Sequence, residues 1–247
     1  MRLTRKKTCT PKKKVTIFFA LLTVLLLASY VFFVQGKECS TQIKNTPYIF
    51  VVTAFDVETE PFLNNSKEVY ACNTLGITYH LMSHKEKEYM LYESGIGTDN
   101  AYASTKDTLE NFTASKLLFS GIAGSTDEGY SVGDTRVART WLNLETNEIV
   151  SVDTNLVESV GEISGVEIVE LGATSKLFVR DKKAIPPGVS LVDMETFEIA
   201  FLAHGHNVPF VAFRTISDHA DGKETGENFE LGANISAKKV LTYISTQ

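Results

Sequence analysis

Apolar and polar positions along this chain switch between two periods. Residues 48–54 (YIFVVTA) form a short unbroken apolar run, which predicts a strand buried on both faces. Residues 76–82 and 89–93 read as strands separated by a polar turn at 84–88. Residues 97–112 place Ala101, Thr105, Leu109 and Phe112 on one side of a helix. Strand patterns follow at 116–119, 132–142, 166–171, 176–179 and 189–192. Residues 193–204 read as a helix, 208–216 (VPFVAFRTI) as the most apolar strand after the first, and 227–245 as an amphipathic C-terminal helix. Residues 144–165 show no clear period, and the chain has no internal repeat. Strands alternating with helices predict an α/β layer fold around a mostly parallel sheet. Ligands bind such sheets beyond the carboxyl ends of the strands. The residues of interest are therefore 55–58, 94–97, 120–124, 178–180, 193–195 and 217–218.

The N-terminus follows neither period. Residues 15–34 (VTIFFALLTVLLLASYVFFV) carry no charge and number 20, about what a helix needs to cross a bilayer. Residues 1–14 hold Arg2, Arg5, Lys6, Lys7, Lys12, Lys13 and Lys14 and no acid. The positive-inside rule places this basic arm in the cytoplasm and the body outside or in a lumen. A single-pass membrane anchor is the expected reading. The alternative is a signal segment cleaved near Val34-Gln35-Gly36, which leaves a secreted body. Residues 35–47 then read as a polar linker and 48–247 as the domain.

Composition narrows the function classes. The chain has 247 residues, 43% hydrophobic and 22% charged, enough for a sizeable core. Removing the seven N-terminal positive charges from the net −6 leaves −13 on the rest, which argues against nucleic acid as a partner. Cys9, Cys39 and Cys72 lie far apart with no C-x-x-C, so no zinc site is expected. On an external body Cys39 and Cys72 either pair or remain two thiols. The histidines His84, His204, His206 and His219 have no Ser or Cys partner in a recognisable motif, and G-x-S-x-G is absent. What remains is carboxylate chemistry with backbone and hydroxyl donors, without metal or cofactor.

The carboxylates stand just beyond the apolar runs. Glu58 lies four residues after the first, Asp193-Met194-Glu195 opens the helix at 193–204, and Ser217-Asp218 follows VPFVAFRTI directly. Capping of a helix start accounts for Asp193 but not for a second acid two residues on. Ser94-Gly95-Ile96-Gly97 and residues 120–124 read as small-residue turns after strands. The former is not G-x-G-x-x-G, so a dinucleotide site is disfavoured.

Together these residues resemble a family. Val192-Asp193-Met194-Glu195-Thr196, then Asn207-Val208-Pro209-Phe210, then Arg214-Thr215-Ile216-Ser217-Asp218-His219-Ala220-Asp221 resemble the nucleoside phosphorylase/nucleosidase superfamily. The branch they resemble most is that of the methylthioadenosine/S-adenosylhomocysteine nucleosidases. Ser94-Gly95-Ile96-Gly97, residues 120–124 with Val132-Gly133-Asp134, and Ala54-Phe55-Asp56-Val57-Glu58 match further motifs in register and in order. The resemblance implies a three-layer α/β/α fold with a central mixed, mostly parallel sheet, and a homodimer. It also implies cleavage of a purine nucleoside without metal or cofactor. Glu58 would activate water, and Asp218, oriented by Ser217, would protonate the base. Glu195 would hold the ribose hydroxyls with Met194 beneath the sugar. Phe178 and the Val179 backbone would stack on and read the base, and Ser94 and Gly95 would line the water side. Asp193 stands where the family has Glu, Thr53 where it tends to have Gly, and residues 144–165 depart from the family's long loop.

A phosphorylase needs a phosphate clamp, for which arginine is the usual bidentate donor. No Arg lies between Arg5 and Arg136, which favours hydrolysis. Arg136 and Arg139, on a strand pattern, are expected to be structural or exposed, and Arg214, before the Ser-Asp pair, is expected to make a structural ion pair. The alternatives are a phosphate-dependent phosphorylase and a nucleoside-binding or storage protein on the same fold.

Overall fold

The first apolar run becomes strand β1 (Tyr48–Thr53), and its alternation assigns the two faces of the sheet. Phe50 and Val52 enter one core, and Val51 enters the other. The same period of two operates in β4 (Lys87–Glu93), β5 (Ala114–Ser125) and β10 (Phe210–Asp218). Leu117 and Phe119 of β5, with Phe210 and Ala212 of β10, pack with Phe50. Leu118, Val211 and Phe213 pack with Val51. Strand segments buried on both faces admit few polar side chains, which is why these strands share apolar stretches.

The computed structural model describes residues 37–221, 223 and 225–247. The remaining elements are α1 (Thr41–Asn45), α2 (Asp56–Asn65), β2 (Lys67–Thr74), β3 (Ile77–His84), α3 (Thr98–Asn111), β6 (Thr135–Asn143), β7 (Ile149–Ser151), α4 (Thr154–Gly161), β8 (Val166–Thr174), β9 (Leu191–Asp193), α5 (Thr196–Gly205) and α6 (Gly226–Ser245). The sheet runs β10-β6-β8-β9-β5-β1-β4-β3-β2, with β7 on β6. Because β10 also pairs with β5, the strands β5, β10, β6, β8 and β9 close on themselves, and β1, β4, β3 and β2 extend from that ring as a wing. Helices α3 and α5 contribute to the core holding Phe50, and α2, α4 and α6 to the core holding Val51. That is a three-layer α/β/α arrangement with a mixed sheet.

Several expectations change. The sheet is mixed, and although its longest pairings, β5 with β10 and β6 with β8, are parallel, antiparallel pairs are as numerous. Five strand pairings are parallel and five antiparallel among the described residues, because the hairpins β2–β3 and β3–β4 and the pairs β5–β9, β6–β7 and β6–β10 run against each other. Residues 120–124 are no turn but the continuation of β5. Residues 176–179 belong to no strand. Residues 144–165 hold β7 and α4, and β2, on the exposed edge, had no apolar run to announce it.

The polar stretch read as a linker carries α1, and Cys39 is bonded to Cys72 of β2. Such a cross-link, closing 33 residues, limits the unfolded chain and stabilises by about 3–4 kcal/mol. No helix among the described residues is long and apolar enough to cross a membrane. The expected span at residues 15–34 lies outside the described residues.

Candidate active site

A cleft of about 200 Å³ opens beyond the carboxyl ends of β1, β5, β9 and β10. Its lining includes Glu58, Phe178, Val179, Met194, Glu195, Ser217 and Asp218, residues drawn from sequence positions up to 160 apart. Ser94 and Gly95 are not in the lining, though their neighbour Ile96 is. Instead Ser94 extends the sheet, its N–H donating to Thr53 O at 2.7 Å, and its hydroxyl donates to Gly95 O.

Glu58 occupies the first turn of α2, where the free N–H groups of a helix start favour negative charge. Its side chain turns back, much as in a capping box. Oε2 accepts the Ala54 N–H at 2.7 Å, and Oε1 accepts the Ile122 N–H of β5 at 2.9 Å. The second contact is available because β5 leaves β1 after Phe119, whose partner is Val52, and β9 joins it only from Gly124 onward. Burial raises the Glu58 pKa above the ordinary carboxylate value, while the Arg214 guanidinium and the two N–H donors oppose the rise. A side chain at Gly121 would collide with this carboxylate, since its Cβ would lie 2.3 Å from Glu58 Oε1 and 2.5 Å from Arg214 Nη1.

Arg214, expected to make a structural ion pair, does so and also lines the cleft. It is 1% exposed. Nη2 pairs with Asp193 at 2.9 Å and Glu195 at 3.3 Å. The guanidinium carbon lies 4.2 Å from the centre of the Phe119 ring. Nε and Nη1 have no hydrogen-bond partner, although buried donors are nearly always satisfied. A charged residue in the middle of VPFVAFRTI was the signal for this site, since an unpaired charge is not buried among apolar neighbours without a partner or a task.

Asp193 supplies the anchor. Oδ1 accepts the Thr174 hydroxyl at 2.7 Å and the N–H groups of Glu195 and Thr196 at the start of α5, and Oδ2 accepts the Thr196 hydroxyl. The capping expected of Asp193 is thus present, and it doubles as the counter-ion of Arg214. Glu195 Oε1 accepts the Gly97 N–H at 2.9 Å. Its pKa is raised, first by burial and then by the charge of Asp193, with Arg214 opposing. Met194 lies in the lining between the two acids.

Asp218 ends β10, 5% exposed. Oδ2 accepts the Ser217 hydroxyl at 2.9 Å and Oδ1 the Ala220 N–H at 2.8 Å, so both oxygens are fixed in direction. Phe178 stands at the open side of the cleft, 37% exposed, with the Arg180 guanidinium carbon 5.4 Å from its ring centre. Phe55 and Ile96, from the stretches expected at the strand ends, add apolar wall, and so does Phe229, which the sequence did not single out. The other two arginines lie elsewhere. Arg136 is buried against Tyr130 and pairs with Asp134 and Glu167, and Arg139 pairs with Glu158 and Glu170.

The phosphorylase superfamily model matches residues 48–159 and 177–245. The chain belongs to the phosphorylase superfamily. A 5'-methylthioadenosine/S-adenosylhomocysteine nucleosidase of Staphylococcus aureus is 26% identical over 229 residues, covering 81% of this chain and 99% of the relative. The nucleosidase of that name from Neisseria meningitidis, solved with methylthio-immucillin-A, superposes with a TM-score of 0.74 at 25% identity, covering 83% of this chain and all of its own. Futalosine hydrolase of Helicobacter pylori superposes with a TM-score of 0.76 at 22% identity, covering 84% of this chain and all of its own, a likeness of fold. The superfamily match omits residues 160–176, which hold all of β8.

Proposed function

We propose that the protein is an N-glycosyl hydrolase that cleaves an adenosine-type nucleoside, such as 5'-methylthioadenosine or S-adenosylhomocysteine, and releases adenine. The observation that carries this reading is the convergence of Glu58, Glu195 and Asp218, all buried, on one apolar-walled cleft. Cleavage of an N-glycosidic bond builds positive charge on the sugar and negative charge on the base. Carboxylates beside the sugar stabilise the former, and an acid beside the base neutralises the latter.

In this reading Glu58, as carboxylate, accepts a proton from water attacking the anomeric carbon. The unpaired Arg214 Nη1 is the donor that orients that water. Glu195 exchanges its present donors for the ribose hydroxyls, over Met194. Asp218, aimed by Ser217 and the Ala220 N–H, delivers a proton to the purine as the bond breaks. Phe178 covers the base face. Among the described residues lining the cleft, Arg214 is the one cation, and two carboxylates already engage it. A phosphate dianion would meet four acids and no free bidentate clamp, which supports water as the nucleophile.

The test is product analysis with methylthioadenosine, S-adenosylhomocysteine, adenosine and inosine, with and without phosphate. Free adenine and a reducing sugar without phosphate are expected. Strict dependence on phosphate with formation of a ribose 1-phosphate makes the protein a phosphorylase. Tight binding without turnover makes it a nucleoside-binding protein.

The setting is proposed with it. Residues 15–34 anchor the chain, with the body outside, and the Cys39–Cys72 bond supports an oxidising compartment. Protease added to intact right-side-out membranes then removes the body, whereas protection reverses the topology. A mature N-terminus near Lys37 replaces the anchor with a cleaved signal. The homodimer is also proposed, since α3 and α5 leave Tyr102 and Phe201 substantially exposed. A monomeric mass in sedimentation rejects it.

A further inference from the structure

Ser236 of α6 is fully buried and touches none of the cleft. Its hydroxyl stands between two strands. It accepts the Gly121 N–H of β5 at 3.1 Å, donates to Phe213 O of β10 at 3.0 Å, and lies 2.9 Å from the Ser120 hydroxyl. One donor and two acceptor positions are all a hydroxyl has, and every one is used. Ser120 and Phe213 are register partners, so the Ser236 hydroxyl bridges β5 and β10 at that step.

A second feature brings α6 to the same place. Gly232, one turn earlier on the same face, meets Ile122, and a Cβ at Gly232 would lie 2.8 Å from Ile122 Cγ2. The glycine and the serine together let α6 approach β5 over residues 120–122. There β5 has already left β1, so no neighbouring strand on that side sets its backbone. The next amide along, Ile122 N–H, donates to Glu58 Oε1 at 2.9 Å. Gly121 also leaves the space that Glu58 and Arg214 occupy.

We propose that Ser236 is a positioning residue for Glu58: by fixing the backbone at Gly121 it aims the Ile122 N–H that orients the carboxylate. The inference rests on the proposed reaction for its kinetic consequence but not for its structural one. Loss of the hydroxyl lets the amide turn away and removes part of the support for the charged form of Glu58. The other charged groups facing Glu58 are Arg214 of β10, Asp193 of β9 and Glu195 at the start of α5, and Ser236 touches none of them.

The experiment compares the full chain with Ser236→Ala and with Thr135→Val. The second variant removes one hydroxyl of a comparable buried pair, Thr135 with Thr215, on the β6 side of β10. Ser236→Ala is expected to lower kcat about tenfold with KM unchanged, short of the hundredfold that a 1 Å misplacement costs. It also moves the acid limb of kcat/KM to higher pH, whereas Thr135→Val leaves both in place. A carboxyl 13C NMR titration, assigned with Glu58→Gln, reads the same coupling without turnover. The Glu58 titration moves upward in Ser236→Ala and stays in Thr135→Val. An unmoved Glu58 titration in folded Ser236→Ala overturns the inference even if the enzyme is active. If no nucleoside is cleaved but the titration moves, the reaction is rejected and the positioning stands. Should Ser236→Ala fail to fold, Ser236→Cys, nearly isosteric and a weaker donor, is measured the same way and is expected to show smaller shifts of the same sign.

Discussion

The wing of β1, β4, β3 and β2 and the ring of strands that carries the cleft both bury polar groups, with opposite outcomes. In the wing, Phe50, Tyr79, Tyr92 and Phe112 pack edge-on or tilted with ring centres 4.4–6.5 Å apart. The two phenols are satisfied within the cluster, Tyr79 by the Thr108 hydroxyl and Tyr92 by that of Thr105. Burial pushes both phenol pKa values up, so these groups stay neutral. At the cleft the buried groups are Glu58, Asp193, Glu195, Arg214 and Asp218, and Arg214 keeps two nitrogens without partners. A closed network serves stability. An open one, costly in the empty protein, is where a ligand gains most.

The largest expected effect falls on the cleft alone. Asp218→Asn keeps the shape but cannot donate the proton, so kcat falls about 10²–10⁴-fold. Substrate binding suffers less, because the amide still hydrogen-bonds the base. Near-normal base release by the folded variant removes the acid role, leaving Asp218 as a cap for its loop.

Arg214→Met joins stability to function. It leaves Asp193 and Glu195 buried side by side without their cation, at a cost of about 3–5 kcal/mol. Urea unfolding at neutral pH measures it. A loss under 1 kcal/mol would make the cleft as self-sufficient as the wing.

The disulfide tests the reverse separation. Cys39→Ser with Cys72→Ser is expected to cost about 3–4 kcal/mol in unfolding and to leave kcat and KM unchanged below the melting transition. A changed KM would mean that the wing shapes the cleft.

The smallest effect is in pH. Glu58 must be ionised to accept a proton, and burial raises its pKa. Protonation therefore begins at a higher pH than for an exposed glutamate, and kcat/KM falls on the acid side already above the ordinary value of 4.5. The wing, whose buried core holds no charged group, contributes nothing there. An acid limb at or below that ordinary value would show that Arg214 and the backbone donors outweigh burial.

Much of this molecule is carried by local pattern. Runs such as 48–54 and 208–216 became β1 and β10 because a strand covered on both faces admits few polar side chains. Glu58, Glu195 and Asp218 stood out because acids just beyond such runs fall at the sheet's carboxyl edge. Other features were decided by tertiary contact. Strand β2 lies at the sheet edge with one face in water, so it needs no apolar run. Residues 120–124 read as a turn because their small side chains leave room for α6, Glu58 and Arg214, none of them near in sequence. The sense of the β9 and β6 pairings depends on where the ring closes, which no local period records. The Cys39–Cys72 bond required two chain segments 33 residues apart to meet. Arg214 shows the division most clearly. Its place in an apolar strand is plain in the sequence, but its task depends on Asp193, Glu195 and Glu58, which reach it only once the sheet has folded.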